Sequence, residues 1–305
     1  MNSRDPFQAS HPHGLKINAA GSWQLRTQTL EFGKMPKIMG IVNVTPDSFS
    51  DGGKFFSPTA AIDHALSLVD EGADIIDIGG ESTRPYALPV SAQEEIERVL
   101  PVIEALVATA DIPVSIDTSK ASVAREAIRV GAEIINDVTG LEGDAEMVSV
   151  ALDSKAGICA MHMQGTPQTM QDNPNYDDVV SEIFEYLRLR RDSLISQGID
   201  RPRICLDPGI GFGKTHQHNL TLMANCRRFH DLNCPILVGH SKKGFIGKVL
   251  GDKNMNRSAG TIGSAMVLAQ NRIQVIRVHD VSEIRNALLL FTACGGVDGQ
   301  ERQID

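Results

Sequence analysis

The chain lacks the features that mark secreted, zinc-ribbon and membrane proteins. Its five cysteines form no C-x-x-C pair and are odd in number, which argues against a disulfide framework and against a zinc ribbon. No apolar stretch approaches the ~18 residues of a membrane span. The first residues have neither the charged start nor the apolar run of a signal peptide. We therefore expect a cytoplasmic protein without a membrane partner.

Positive charge is also scarce. The 29 Lys and Arg residues are outnumbered by 38 Asp and Glu residues, which gives a formal net charge of -9. This balance argues against tight, sequence-independent binding to nucleic acid. An anionic small ligand would therefore have to bind at a local cluster of basic residues. Hydrophobic residues make up 42% of the chain and charged residues 22%, which is ordinary globular usage and excludes a disordered or coiled-coil chain.

From residue 37 onward, short runs rich in Ile and Val alternate with longer amphipathic stretches. This alternation is typical of a parallel sheet covered by crossover helices. Eight such units without a break in composition favour an α/β fold with a single (β/α)8 TIM barrel; a doubly wound sheet is the alternative. The predicted strands are 38–44, 75–79, 114–117, 134–137, 158–162, 204–207, 236–239 and 275–278. The predicted helices are 59–71, 92–108, 122–130, 145–154, 179–197, 219–231, 259–271 and 281–294.

Three regions follow from this interpretation. Residues 1–36 form an N-terminal extension, and the weak alternation over 15–32 predicts a β-hairpin that could close the bottom of the barrel. Residues 37–295 form the barrel, and residues 296–305 form a polar C-terminal tail.

Polar residues follow the predicted strands at the point where each strand ends. In a TIM barrel these positions form the rim that carries the active site. Asp117, Asn136 and Asp207 suit the edge of a flat heterocycle with several N–H donors, although each could instead cap the helix that follows. The rim set is Asn43, Glu81 to Arg84, Asp117, Thr118, Asn136, Asp137, His162, Asp207, Ser241 to Lys243, Arg277 and His279.

The basic residues of this rim imply an anionic group on the substrate. Arg84, Lys243 and Arg277 follow strands, with His279 beside them, and an arginine can hold a phosphate through two parallel N–H bonds. A nucleotide P-loop is not supported, because Pro208 stands where the motif ending in Gly213-Lys214-Thr215 requires its first glycine. Two polar loops, 43–53 and 79–85, are long enough to close over a ligand.

Nine motifs of the chain resemble the dihydropteroate synthase family, in the family's order and over residues 39–281. The first two are highly specific, whereas IDTSK or INDV alone would indicate only a pterin-binding barrel. The motifs are MGIVNVTPDSFSDGG, GADIIDIGGESTRP, SIDTSK, INDVTG, MHMQGTPQTMQ, DPGIGFGKT, GHSKKGFIG, GTIGSA and IRVHDV.

The resemblance implies a transferase that joins 6-hydroxymethyl-7,8-dihydropterin diphosphate to 4-aminobenzoate and releases pyrophosphate. It further implies an SN1-like displacement assisted by Mg²⁺, a role in folate biosynthesis as a sulfonamide target, and a homodimer. Both substrates are small molecules.

The resemblance also implies a role for individual residues. The pterin edge would be bound by Asp117, Asn136, Asp207 and Lys243, with Arg277 against the ring. The diphosphate would be bound by Thr83, Arg277 and His279, and Asn43 would contribute to the Mg²⁺ site. The 4-aminobenzoate pocket would be formed by Phe49, Pro85, Phe212 and Ser241 together with Lys243. In the loops, Asp51 would stabilise the pterin cation, and Arg84 would order the loops during catalysis.

The chain departs from the family pattern at two points. Gly244 stands where the family often has a serine after S-R-K, and Tyr86 stands where the family often has Gly after Pro85. Two other functions share the pterin-binding residues: a methyltransferase barrel that binds methyltetrahydrofolate, and a non-catalytic paralogue. The first does not explain NVTPDSFSDGG or Arg277-x-His279, and the second would be expected to have lost diphosphate or loop residues, none of which is lost.

Overall fold

The computed structural model describes residues 18–45, 58–84, 87–252 and 256–301. Within these residues, a short antiparallel hairpin precedes eight parallel strands. The hairpin strands are β1 (Ser22–Gln24) and β2 (Thr29–Glu31). The parallel strands are β3 (Lys37–Asn43), β4 (Ile75–Gly79), β5 (Val114–Asp117), β6 (Ile134–Asp137), β7 (Gly157–Met161), β8 (Ile204–Asp207), β9 (Leu237–Gly239) and β10 (Val275–Val278).

Helices cover the outside of the sheet, one or more after each strand. They are α1 (Pro58–Asp70), α2 (Ala92–Thr109), α3 (Ala121–Arg129), α4 (Met147–Ser154), α5 (Val179–Ser196), α6 (His216–Asn225), α7 (Gly244–Leu250), α8 (Ser258–Gln270) and α9 (Val281–Ala293). Short 3-10 helices span Arg201–Arg203 and Cys226–Leu232. No helix of the described part of the chain has the length and hydropathy to span a bilayer.

The eight strands form a closed ring. Their hydrogen-bonded order is β8-β7-β6-β5-β4-β3-β10-β9, and a parallel bridge between Leu206 and Ile236 joins the two ends of that order. The predicted TIM barrel is therefore confirmed, and the doubly wound sheet is excluded. The bounds of all eight predicted strands agree with the structure to within one residue.

Two helix predictions were wrong. The helix predicted over 219–231 begins earlier, at His216, and continues after Asn225 only as a 3-10 helix, because Asn225 takes φ -112 and ψ 13 and leaves the α region. The seven-residue helix α7 was missed. Its sequence contains Gly244 and Gly247, and glycine is a poor helix former that hides the apolar pattern of Phe245 and Ile246, both buried.

The polar side chains of the site and the apolar side chains one layer below them project from the same face of the strands. Side chains two residues apart on a strand point to the same face. Ile134 and Asn136, Cys205 and Asp207, and Val275 and Arg277 are such pairs. The first member of each pair belongs to one buried cluster with Met39, Ile75, Cys159 and Leu237. An apolar core thus lies beneath the polar ends of these three strands.

The N-terminal hairpin closes the lower end of this core, as the sequence predicted, although residues 15–17 of the predicted hairpin lie outside the described residues. Trp23 is fully buried in the cluster, and its indole N–H donates to the Arg203 carbonyl at 2.9 Å. Thr27 donates from its backbone N–H at 2.8 Å and its hydroxyl at 2.7 Å to the carboxylate of Glu133. The hairpin is therefore bound to the barrel by both apolar and polar contacts.

We expect Trp23→Ala to lower the free energy of unfolding by about 3 to 5 kcal/mol, because it leaves a cavity in the core and frees the Arg203 carbonyl. Urea denaturation followed by circular dichroism measures the change. The control is Leu189→Ala, since Leu189 is 54% exposed on α5 and its truncation should change the free energy by less than about 0.5 kcal/mol. Equal stability of the two variants would contradict the role given to the hairpin.

Candidate active site

One cavity of about 1120 Å³ opens at the carboxyl ends of the strands. Every residue that the structure describes and to which the family resemblance gave a role lines this cavity. These residues are Asn43, Thr83, Arg84, Asp117, Asn136, Asp207, Phe212, Ser241, Lys243, Arg277 and His279. Phe49, Asp51, Pro85 and Tyr86 lie outside the described residues.

The guanidinium of Arg277 joins two strands across the barrel. Its Nε donates to Asp77 Oδ2 at 2.5 Å and one terminal nitrogen donates to Asp117 Oδ2 at 2.7 Å. Asn136 donates from its amide to the same Asp77 oxygen at 3.1 Å. Burial alone would lower the pKa of Arg277, but Asp77 and Asp117 raise it above its ordinary value. The arginine is therefore a fixed positive charge in the floor of the cavity.

Two acidic side chains of the floor ionise near neutral pH. Burial raises the pKa of Asp117 to about 7, against the opposing charge of Arg277. Burial likewise raises the pKa of Asp207 to about 6, although its carboxylate accepts the N–H of Gly209 at 2.7 Å. A ligand with several N–H donors would favour the ionised form of both carboxylates, because it replaces the hydration that burial removed.

Lys243 and Phe212 form one wall of the cavity. The Lys243 ammonium lies 4.2 Å from the centre of the Phe212 ring, a distance at which a cation interacts with the aromatic face. Burial and the charge of Arg277 lower the pKa of Lys243 to about 8. An apolar ring and a cation thus lie side by side in this wall.

The glycine-rich loop that carries Phe212 is tightly packed. Gly209 and Gly213 have φ values of 69 and 63, and a Cβ at either would collide with a backbone carbonyl, that of His162 or Gln164. Only glycine fits such a left-handed position against a neighbouring backbone. The loop carbonyls accept from Gln171 Nε2 at 2.7 Å, onto Gly211, and from the Tyr176 hydroxyl at 2.9 Å, onto Gly213. These contacts fix the position of Phe212.

Sequence reasoning missed the role of Lys214, because its partner His162 is distant in sequence and neither the rejected P-loop match nor the DPGIGFGKT motif assigns it a partner. The side chain is buried, and its ammonium contacts His162 Nδ1 at 3.0 Å and the Phe212 carbonyl at 2.8 Å. Burial lowers the pKa of Lys214 to about 7. Lys214 therefore joins the glycine-rich loop to the end of β7.

Asp77 was missed as well, because only strand ends were searched. A charged residue in the middle of the apolar run Ile75-Ile-Asp-Ile-Gly79 is itself a signal, since an acid buried inside a strand requires a partner. In the structure Asp77 is fully buried and that partner is Arg277.

The loop after β4, which carries Thr83 and Arg84, is held at its base by a charge cluster. Lys120 contacts Glu81 Oε2 at 2.8 Å and Glu95 Oε2 at 2.5 Å. The other oxygen of Glu81 accepts the N–H of Val90 at 3.0 Å. Lys120 ends the SIDTSK motif, and the sequence gave no reason to connect it with this loop.

Ser241 and His279 form a hydrogen-bonded pair that lines the cavity. The Ser241 hydroxyl oxygen accepts the backbone N–H of His279 at 3.3 Å and lies 3.0 Å from its Nδ1. A Ser241 hydroxyl that donates to Nδ1 would leave Nε2 as the N–H donor of the imidazole. Burial, then the charges of Arg277 and Lys242, lower the pKa of His279 to about 4.

The turn between Ser241 and Lys243 takes an unusual backbone conformation that α8 stabilises. Lys242 has φ 56, in the left-handed region. Its N–H donates to Thr261 Oγ1 at 3.1 Å, and its carbonyl accepts from Arg257 at 2.8 Å. The GTIGSA motif of the sequence therefore contributes through Thr261, which holds Ser241 and Lys243 in place.

Asn43 is the residue from which a Mg²⁺ site was expected. Within the described residues no group of three or more His, Cys, Asp or Glu side chains is arranged for a metal. Asn43 ends β3 at the cavity, and its side chain has no hydrogen bond to another described residue. Mg²⁺ commonly takes one or two protein oxygens and completes its shell with water and substrate phosphates. A single free amide oxygen fits that pattern.

The comparisons agree with this geometry. A family model for pterin-binding enzymes matches residues 39–279. The dihydropteroate synthase of Escherichia coli K12 is 45% identical over 258 residues, which cover 85% of this chain and 91% of that protein. The chain belongs to the dihydropteroate synthase family.

Solved structures of the dihydropteroate synthase family have the same fold. The Yersinia pestis dihydropteroate synthase with a sulfonamide drug complex superposes with a TM-score of 0.84 at 41% identity, over 90% of this chain and 99% of that one. The Xanthomonas albilineans dihydropteroate synthase with 4-aminobenzoic acid superposes with a TM-score of 0.83 at 41% identity, over 90% and 98%.

The lowered pKa of His279 predicts an acid-dependent loss of stability. Between pH 6.5 and about 4 the folded state binds fewer protons than the unfolded state, so the free energy of unfolding falls as the pH drops through this window. We expect the wild type to lose about 1 kcal/mol more than His279→Gln between pH 7.5 and pH 5. Urea denaturation at both pH values measures this difference. Parallel pH profiles for the two proteins would contradict it.

Proposed function

We propose that the chain is a dihydropteroate synthase that condenses 6-hydroxymethyl-7,8-dihydropterin diphosphate with 4-aminobenzoate. The observation that carries the proposal is the cavity, in which a floor of acids and an amide lies beside the Arg277 guanidinium and the Ser241–His279 pair. The first set suits a donor-rich heterocycle, and the second suits an anion. Family membership and the 4-aminobenzoic acid bound to the Xanthomonas relative support the same reaction.

The pterin would bind at the floor. Asp117 and Asp207 can accept N–H bonds from its edge, and the Asn136 amide can both donate and accept. Lys243 would donate to a ring acceptor, while the planar guanidinium of Arg277 would lie against the ring. Because Asp77 and Asp117 hold Arg277 by both sides, its plane is set before the ligand binds.

The diphosphate would leave toward the positive wall. Arg277 carries a permanent charge, the neutral imidazole of His279 supplies an N–H, and Thr83 lines the same cavity. Asn43 would hold Mg²⁺, which when bound supplies positive charge for the developing diphosphate anion. Stabilisation of this leaving group is the main electrostatic task of the site, because charge develops there as the bond breaks.

The displacement would be SN1-like. The C–O bond to the diphosphate breaks first, with the electron pair leaving on oxygen, and a cation remains at the pterin methylene. The nitrogen lone pair of 4-aminobenzoate then forms the C–N bond, and that nitrogen loses a proton to water. Phe212 and Lys243 would hold the amine with Ser241. Phe49 and Pro85 are expected in the same pocket, with Asp51 near the cation and Arg84 ordering the loops.

We also propose a homodimer in the cytoplasm. Leu290 is 67% exposed on α9, and Val267 of α8 and Leu250 at the end of α7 are exposed as well. Apolar side chains on adjacent helices suit burial against a second copy. The free thiols of all five cysteines fit a reducing compartment.

The proposed reaction makes a direct prediction. Purified protein should release pyrophosphate from the pterin diphosphate only when 4-aminobenzoate and Mg²⁺ are both present, with one dihydropteroate formed per pyrophosphate. Coupled phosphate detection and chromatography of the product measure both. Absence of dihydropteroate under these conditions would overturn the assignment.

A matched pair of variants shows whether the cavity is responsible. Arg277→Lys keeps the charge but cannot bridge Asp77 and Asp117, so kcat/KM should fall by about 100-fold or more. Arg285→Lys is the control, because Arg285 is exposed on α9 and donates to the Gly72 carbonyl, away from the cavity. Its activity should remain within about twofold of wild type.

Asp117 should bind the pterin as a carboxylate. Loss of one charge-assisted interaction in Asp117→Asn should weaken binding of 6-hydroxymethyl-7,8-dihydropterin by about 10- to 100-fold. This probe lacks the diphosphate, whose own titration would otherwise obscure the result. Because the pKa of Asp117 is raised to about 7, wild-type affinity should increase from pH 5.5 to pH 8. In the variant only the smaller increase that comes from ionisation of Asp207 should remain.

Isothermal calorimetry measures both effects. Asp153→Asn, an exposed position on α4, is the control and should bind as the wild type does. Unchanged affinity in Asp117→Asn would show that the pterin edge does not meet this carboxylate.

A further inference from the structure

Position 244 leaves a gap in the wall of the cavity, and a histidine from another helix lies against it. Gly244 follows Lys243 and has no side chain; a Cβ placed there would meet His216 Cε1 at 3.4 Å. Both residues line the cavity, Gly244 at the start of α7 and His216 at the start of α6. The imidazole thus lies beside the space that a side chain at 244 would occupy.

His216 has an imidazole that is available for hydrogen bonding in this part of the wall. Within the described residues its imidazole makes no hydrogen bond. The neighbouring cations are engaged: Lys242 pairs with Asp280 at 2.8 Å, and Arg257 donates to the Lys242 carbonyl. Lys243 lies over Phe212.

The helix start fixes His216 and separates it from the second histidine of the same turn. Thr215 caps α6 by accepting the N–H of His218 at 3.1 Å, and its own N–H donates to His218 Nδ1 at 3.3 Å. His218 also packs edge-on against Tyr176, with ring centres 5.1 Å apart. His218 therefore takes part in the helix cap, whereas His216 lines the cavity.

The proposed orientation of the amine substrate would bring its carboxylate toward this position. The amino group must point to the pterin methylene, and the pterin lies on the floor that Asp117 and Asp207 form. In 4-aminobenzoate the carboxylate is at the opposite end of the ring. A ring held beside Phe212 and Lys243 would therefore direct that carboxylate outward, past Gly244 and toward His216.

We propose that His216 donates a hydrogen bond to the carboxylate of 4-aminobenzoate and is a specificity-determining residue for the amine. This inference rests on the proposed function. It assigns to His216 a side-chain contact that Gly244, which offers only its backbone, does not supply.

The test compares two amines that differ only at that end. With the pterin diphosphate saturating, His216→Ala should raise KM for 4-aminobenzoate about tenfold, the effect of one hydrogen bond to a charged group at a partly exposed site. KM for the neutral 4-aminobenzamide should change by less than about twofold, and so should kcat with either amine. His216→Gln, which keeps an N–H donor, should recover most of the lost affinity.

The control is Gln217→Ala, which truncates the next residue of α6, an exposed one, and should leave both KM values unchanged. Equal KM changes for the two amines in His216→Ala, or none for either, would overturn the inference. Wild-type protein that forms no dihydropteroate would instead overturn the proposed function. The two failures are therefore distinguishable in one set of assays.

Discussion

The site depends on one buried guanidinium. Arg277 is held by Asp77 from β4 and Asp117 from β5, and Asp77 also accepts from Asn136 on β6. A buried ion pair contributes little net stability, because desolvation offsets most of the attraction between the charges. The ion pair instead fixes the geometry of the floor, because Arg277, Asp117 and Asn136 are linked through hydrogen bonds and cannot move independently. Because Asp77 lies one layer below the rim, the ligand-facing residues are set by the barrel itself.

The net charge of the chain and the cations of its cavity have opposite signs. The protein as a whole is negative, with a formal charge of -9, yet its cavity contains Arg84, Lys243 and Arg277. Attraction of an anionic substrate therefore acts at short range, within the cavity, where the cations lie closer to the ligand than the surface acids do. Long-range steering by the protein's overall charge would repel the same ligand. The protein as a whole thus repels an anionic ligand at long range, and the cations of the cavity attract it at short range.

The sequence predicted the barrel because β-strand runs and amphipathic helices have different periods, and each strand end carried a polar residue. It could not show which strand residues point into the same space beneath the rim, so Asp77 was overlooked although it lies inside a quoted motif. Lys214 and Lys120 were missed for another reason. Their partners, His162 and Glu81, are distant in sequence, and only packing brings them together. Glycines concealed α7, since local helix propensity there is low and burial of Phe245 compensates for it.

The hairpin that closes the barrel has a consequence for how the chain folds during synthesis. Trp23 lies in the hairpin that precedes the eight barrel strands, yet the cluster that receives it includes Val275 from the last strand, and the Ala20 carbonyl accepts from Gln274. Contacts of such long sequence separation form late, because the entropy of closing the loop is lost before they stabilise the chain. Trp23 therefore reaches its full burial only when the last barrel strand, which carries Val275, has been added. Completion of the barrel and full burial of Trp23 are thus a single event.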